Sequence, residues 1–269
     1  MVKTSLFLVL LSWGSGVWTL PDAEALKARY RPEVRQQYAD YLQAYGQVKH
    51  AKDVQQVLQW QQDRAEIFSE PLQAAWQKHW EATSRPDAAH ANLPAPDFSW
   101  VEAAFPGMVL ANEAEGTVVI LRPHWKALAQ LAQRTPESDD DRLMALMLRL
   151  HGEQWSAFPT WMEQTWDYGG CSRLGSGRHT ALLKAIRAQL QRKSLFSTLL
   201  QAEEKALVQD ILEAPELCYA PALALKELKT LTTAFSWSSV QVQALRAQIQ
   251  RIETGKLSSM DQELPADAF

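Results

Sequence analysis

The densest group of chemically useful side chains lies between residues 155 and 179. The run from Gly169 to His179 holds four glycines, Arg173 and Arg178, and a predicted helix follows it directly. Backbone N–H groups at a helix N-terminus attract anions, and glycines let a ligand approach them closely. The two arginines can add bidentate hydrogen bonds to a phosphate or carboxylate. This pattern predicts an anion-binding loop, although it lacks the phosphate-loop signature GxxxxGK[ST], and a disulfide-tethered surface loop is the alternative.

Aromatic residues lie just before this loop and enter it. Exposed Trp and Tyr rings stack on sugars or anchor partner proteins, and the chain contains 11 Trp. Packing within the core is the competing interpretation of these rings. Together with the loop they give the candidate binding residues: Trp155, Trp161, Trp166, Tyr168, Arg173, Arg178 and His179.

Enzymatic chemistry has weaker support in the sequence. One hypothesis is a hydrolase whose site uses His179, Asp167 and the neighbouring arginines around an anionic group of the substrate. The run from Gly170 to Leu174 does not fit the GxSxG elbow, and no HExxH, CxxC or Cys/His cluster is present. The acidic run Asp139 to Asp141 is explained by the dipole of a helix N-terminus. We therefore assign no catalytic residue, no metal ligand and no cofactor from the sequence.

Composition narrows the class of protein further. The chain has 269 residues with 46% apolar and 22% charged residues, values typical of a globular protein. Its net charge is -4, and loss of Lys3 leaves 26 basic against 31 acidic residues, or about -5. A mildly acidic protein has no general attraction for nucleic acid.

The chain begins with a pattern typical of an export signal. Lys3 precedes the apolar run Leu6 to Leu11, and small residues follow it. The apolar run is much shorter than the ~20 residues that span a bilayer, so we expect no integral membrane span once the signal is removed. We therefore expect a periplasmic or secreted protein, of bacterial origin given the short leader. In such a compartment the two cysteines, Cys171 and Cys218, are expected to form a disulfide.

Apolar spacing predicts a mainly α fold: a multi-helix domain with one small β-hairpin at about residues 108–121 and one disulfide. The spacing predicts one continuous helical stripe over residues 23–48 and a helix that restarts at Ser69-Glu70-Pro71. The second hairpin strand is β-branched and nearly all apolar, which predicts burial on both faces. The expected division is as follows: a signal peptide at 1–20, an N-terminal helical region at 21–83, a Pro-rich linker or loop at 84–96, a main helical domain at 97–256 and a frayed tail at 257–269.

These observations lead to one expected function and two alternatives. We expect a binding module of the cell envelope that docks a protein or an envelope polymer through residues 155–178. The first alternative is an envelope hydrolase with an anion-binding Gly-rich loop around His179. The second is a structural accessory subunit, which would expose a large apolar patch.

Overall fold

A computed structural model describes residues 22–84, 95–113, 116–153, 156–165 and 169–257. The predicted signal peptide, most of the predicted linker and the predicted tail after Leu257 lie outside these residues, and Leu257 itself is buried. Ten helices are described: α1 (Ala23–Arg29), α2 (Pro32–Gly46), α3 (Ala51–Thr83), α4 (Val101–Ala104), α5 (Trp125–Ala132), α6 (Ser138–His151), α7 (Arg178–Leu190), α8 (Ser197–Glu213), α9 (Pro221–Ala234) and α10 (Ser239–Glu253). Four strands accompany them: β1 (Met108–Glu113), β2 (Val118–Pro123), β3 (Met162–Gln164) and β4 (Gly170–Ser172).

The predicted mainly α fold with one hairpin and one disulfide is confirmed. β1 and β2 pair antiparallel, and β3 and β4 form a second, shorter antiparallel pair that the sequence did not indicate. Among the described residues no helix combines the length and apolar character needed to cross a bilayer.

Two prolines act differently from the sequence prediction. The predicted continuous helix over residues 23–48 is interrupted, because α1 ends before Pro32, which opens α2. The predicted restart at Ser69-Glu70-Pro71 is wrong, since α3 runs through Pro71 without ending. Proline normally costs a helix one hydrogen bond and a steric clash. The buried side chains Phe68 and Leu72 flank this position, and their packing keeps the helix intact.

The long helix α3 holds the hairpin along the edge of β2 that β1 does not pair with. The hydroxyl of Ser69 accepts a hydrogen bond from the Leu121 amide (2.8 Å), and the Gln73 side chain accepts one from the Val119 amide (2.7 Å). Edge groups of a strand need partners when they are buried, and α3 supplies them. The expectation that β2 is buried on both faces is wrong: Val119 and Leu121 are buried, whereas Ile120 is only half-buried.

Buried tyrosines attach the first two helices to this core. The Tyr30 hydroxyl donates to the Phe68 carbonyl (2.6 Å), and the Tyr38 hydroxyl donates to the Ala104 carbonyl (2.7 Å). Burial raises the pKa of Tyr38 to about 12. These phenols therefore remain neutral donors across the physiological range of pH.

The disulfide joins β4 to the segment between α8 and α9. Cys171 and Cys218 lie 5.1 Å apart at Cα and close a loop with a sequence separation of 47. The backbone reinforces the link, because the Ser172 carbonyl accepts from the Cys218 amide (2.8 Å).

We expect the Cys171→Ser/Cys218→Ser double variant to unfold with a free energy about 4 kcal/mol lower than the oxidised protein, from the loop-entropy model. Equilibrium urea unfolding measures this difference. Reductant should destabilise the parent protein and leave the double variant unchanged. A loss below about 1 kcal/mol would contradict a stabilising role of this disulfide.

Candidate functional site

The predicted anion-binding loop connects β4 to α7. Gly175 has φ +107°, and a Cβ there would lie 2.8 Å from the Ala224 amide nitrogen, so only glycine fits this close approach. Gly177 caps α7 with φ +79°. The glycines thus bring the loop against the beginning of α9 and turn its amides toward that helix.

An internal carboxylate occupies the position where an external anion was expected. Glu227 of α9 accepts hydrogen bonds from the amides of Gly175 (2.6 Å), Gly177 (2.9 Å) and Thr180 (3.0 Å). It also accepts a hydrogen bond from the Thr180 hydroxyl (3.0 Å), and only 6% of the Glu227 surface is exposed. The helix N-terminus is therefore neutralised by the protein's own acid.

The two loop arginines have different surroundings. The half-buried Arg173 pairs with Glu163, with Nη2 and Nε at 3.0 and 3.1 Å from the same carboxylate oxygen. The exposed Arg178 donates to the Thr160 carbonyl (3.0 Å). Of these two arginines, only Arg178 presents a guanidinium that no carboxylate of the described residues neutralises.

His179 is fully buried and lies in a cluster with Ser172 and Asp210. Its Nε2 lies 2.7 Å from Asp210 Oδ2, and the Ser172 hydroxyl donates to the same oxygen at 2.6 Å. The Ser172 Oγ to His179 Nε2 distance is 3.4 Å. Within the described part of the chain, His179 Nδ1 has no hydrogen-bond partner.

This arrangement differs from a serine hydrolase triad. In a triad the carboxylate and the serine lie on opposite nitrogens of the imidazole, so that a proton can be relayed. Here both contact Nε2, and Ser172 is fully buried. No protein-family model, curated protein or solved structure matches this chain. On geometry alone, the cluster joins β4, α7 and α8 and offers no accessible serine nucleophile.

The aromatic candidates are only partly within the described residues. Trp155, Trp166 and Tyr168 lie outside them. Trp161 is 3% exposed, and its ring lies 6.2 Å from that of His151. Its indole thus packs in the core and does not stand as an exposed stacking face.

Two concave surfaces border the residues selected from the sequence. One is an open groove of about 540 Å³ between the end of α6 and the start of α7, whose rim carries Arg149 and Arg178. The other is a pocket of about 320 Å³ with Asp210 and Glu213 on one side and Trp161 on the other. Among the described residues no group of three His, Cys, Asp or Glu side chains is placed to hold a metal ion.

Packing between α6 and α7 fixes the groove. Gln189 donates to the Arg142 carbonyl (2.6 Å), so the end of α7 lies beside the start of α6. At the other end, the Thr160 hydroxyl donates to the Arg149 carbonyl (2.6 Å) while Thr160 accepts from Arg178. The helices run antiparallel, and Thr160 links the two arginine positions.

Sequence reasoning missed Asp210 and Glu227, the acids that organise this region. Glu227 lies on the apolar stripe of α9, between the buried Ala224 and Leu228. An acid on such a stripe is a signal that the sequence does contain, because a buried carboxylate needs hydrogen-bond donors nearby. Asp210 carries a similar signal, since it lies three residues after the buried Leu207 on α8 and thus on the same side of the helix.

We expect Glu227→Gln to lower the free energy of unfolding by about 1.5–3 kcal/mol, since a charged acceptor of several hydrogen bonds is lost. Urea unfolding measures the change, and hydrogen exchange at the Gly175, Gly177 and Thr180 amides should accelerate.

The matched control is Glu253→Gln, which alters an exposed glutamate on α10. Equal stability of the two variants, or unchanged exchange at these three amides, would show that Glu227 does not hold the loop.

Proposed function

We propose that the protein is an exported binding module that docks an acidic segment of a partner protein in the groove between α6 and α7. Export is supported by the leader pattern at residues 1–20 and by the Cys171–Cys218 disulfide, since disulfides persist in oxidising compartments.

The observation that carries the proposal is the charge of the groove. Arg149 and Arg178 face an open concave surface, and none of the described residues that line it is acidic. This is unusual in a chain with a net charge of -4. Guanidinium groups bind carboxylates in bidentate geometry, so the groove favours an acidic partner.

The floor of the groove adds specificity for a peptide. Leu148, Ala181 and Leu182 contribute apolar surface, while Ser176 and Thr160 contribute hydroxyl groups. Gly177 leaves open space where a side chain would project. An extended segment can place acidic side chains on the rim and a small apolar side chain on the floor.

We expect a fluorescein-labelled octaglutamate peptide to bind the oxidised protein at low salt and to dissociate as salt rises. Arg149→Glu/Arg178→Glu should weaken binding by about tenfold or more, since two exposed ion pairs contribute up to about 1 kcal/mol each. Fluorescence anisotropy measures the affinity.

The control for this experiment is Lys229→Glu/Arg246→Glu, which changes the net charge equally on α9 and α10. An equal loss of peptide affinity in both variants would show that the overall charge determines binding, and would refute the groove as the binding site. Tighter binding of alginate than of the peptide would point to an anionic envelope polymer instead.

A hydrolase is a second candidate, and the position of Asp210 favours it. Its carboxylate borders the 320 Å³ pocket beside Glu213, while His179 and Ser172 hold it from behind. A held carboxylate at a pocket can act as a general base toward water. In this reading Ser172 orients the acid and does not attack the substrate.

If this second function is correct, Asp210→Asn should reduce hydrolysis of a peptidoglycan or ester substrate about 100-fold or more. Ser172→Ala should retain much of the activity, and a fluorophosphonate should not label the protein. Absence of any turnover by the folded parent protein, or labelling at Ser172, would refute it.

A structural accessory subunit receives less support. It predicts a large continuous apolar patch. The large apolar side chains that are exposed among the described residues occur at four separate places along the chain: Trp80, Leu195, Leu223 and Val240.

A further inference from the structure

A third cavity, separate from the groove and from the Asp210 pocket, lies where the hairpin meets α5 and α6. It encloses about 220 Å³, and its walls include Arg122 and Glu113 of the hairpin, Trp125 of α5 and His151 of α6. None of these residues takes part in the function proposed above. The cavity is smaller than the 300–1,000 Å³ typical of sites for drug-sized ligands, which limits an occupant to about one ring.

The charged groups of this cavity neutralise one another. Arg122 donates to both carboxylate oxygens of Glu113, at 2.8 and 3.0 Å. Glu153, which also lines the cavity, pairs with Lys126 at 3.0 Å. A ligand with net charge would have to break one of these pairs. A neutral ligand meets fixed donors and acceptors without that cost.

The pairs leave hydrogen-bonding capacity unused. A guanidinium has five N–H donors, and the contact with Glu113 uses two of those of Arg122. The Glu113 oxygens can each accept further hydrogen bonds, and His124 and Ser156 add polar groups to the wall. A ligand with several hydroxyl groups matches this mixture of donors and acceptors.

One wall of the cavity is aromatic and held in place. The Trp125 and His151 rings stack with centroids 5.4 Å apart and an angle of 21° between their planes. His151 is fixed on its other sides by Trp161 (6.2 Å) and by Glu203, which lies 3.1 Å from Nε2. Trp125 itself is half-buried and lines the cavity. Aromatic faces pack against the C–H face of a sugar ring.

We propose that this cavity binds one neutral saccharide unit, with its ring against Trp125 and its hydroxyls on Arg122 and Glu113. The observation that points to this ligand class is the combination in one small cavity of an aromatic wall and mutually neutralised ion pairs. The inference does not rest on the acidic-peptide groove, because the two sites share no lining residue.

Saturation-transfer difference NMR on the oxidised protein tests the proposal with glucose, galactose, mannose and N-acetylglucosamine. Glucuronate and glucosamine serve as charged comparisons. We expect saturable signals from the ring C–H protons of at least one neutral sugar, and weaker signals from both charged sugars. No saturable signal from any neutral sugar, or a preference for a charged sugar, would overturn the proposal.

Two variants locate the binding site. Trp125→Leu keeps an apolar side chain and removes the aromatic face, and Arg122→Met keeps bulk and removes the donors. Each should weaken binding about tenfold, whereas Trp80→Leu, at an exposed tryptophan on α3, should leave it unchanged. Unchanged affinity in Arg122→Met, with its fold verified by circular dichroism, would overturn the assignment even if Trp125→Leu failed to fold.

Discussion

Two acids whose side chains are almost fully enclosed hold the segment from β4 to α7, and the groove and the pocket beside this segment depend on them. Glu227 accepts hydrogen bonds from the amides of Gly175, Gly177 and Thr180. Asp210 accepts hydrogen bonds from the Ser172 hydroxyl and from Nε2 of His179. Neither acid pairs with Lys or Arg among the described residues. A buried carboxylate is tolerated only where hydrogen-bond donors replace water. The glycine loop and the first turn of α7 supply the donors for Glu227, whereas Ser172 of β4 and His179 of α7 supply those for Asp210. The segment and the two acids therefore require each other.

This mutual requirement decides where a ligand can be recognised. The amides and the positive dipole of α7 are used inside the molecule by Glu227. In the function proposed above, recognition of an outside anion therefore depends on side chains, and Arg149 and Arg178 are the cationic side chains that line the groove. Glu227 thus neutralises the N-terminus of α7 inside the molecule, while Arg149 and Arg178 remain at the groove on the surface.

The fold was predictable where local patterns decide it. The mainly α fold follows from apolar spacing, and the Cys171–Cys218 pairing was expected from two cysteines in a chain that begins with a leader pattern. The helix break predicted at Pro71 is absent, because the free energy that proline costs the helix locally is smaller than the free energy that the whole of α3 gains by packing along β2. That gain includes the Ser69 and Gln73 bonds to the strand edge. No local pattern reports the presence of that edge.

The sites were less predictable, because their partners are distant in the chain. Composition drew attention to residues 169–179, yet the acids that complete this region come from α8 and α9, 31 residues away in the Asp210–His179 pair and 47 in the Glu227–Thr180 pair. The sequence does show that these acids lie on helix faces that are otherwise apolar, where burial of a carboxylate is unfavourable without hydrogen-bond donors. Such a position identifies one residue of a buried hydrogen-bond network. The other residues of the network are known only once the packing of the helices is known. The same limit applies to the cavity at Trp125, since its ion pairs and its ring stack involve four different elements: β1, β2, α5 and α6.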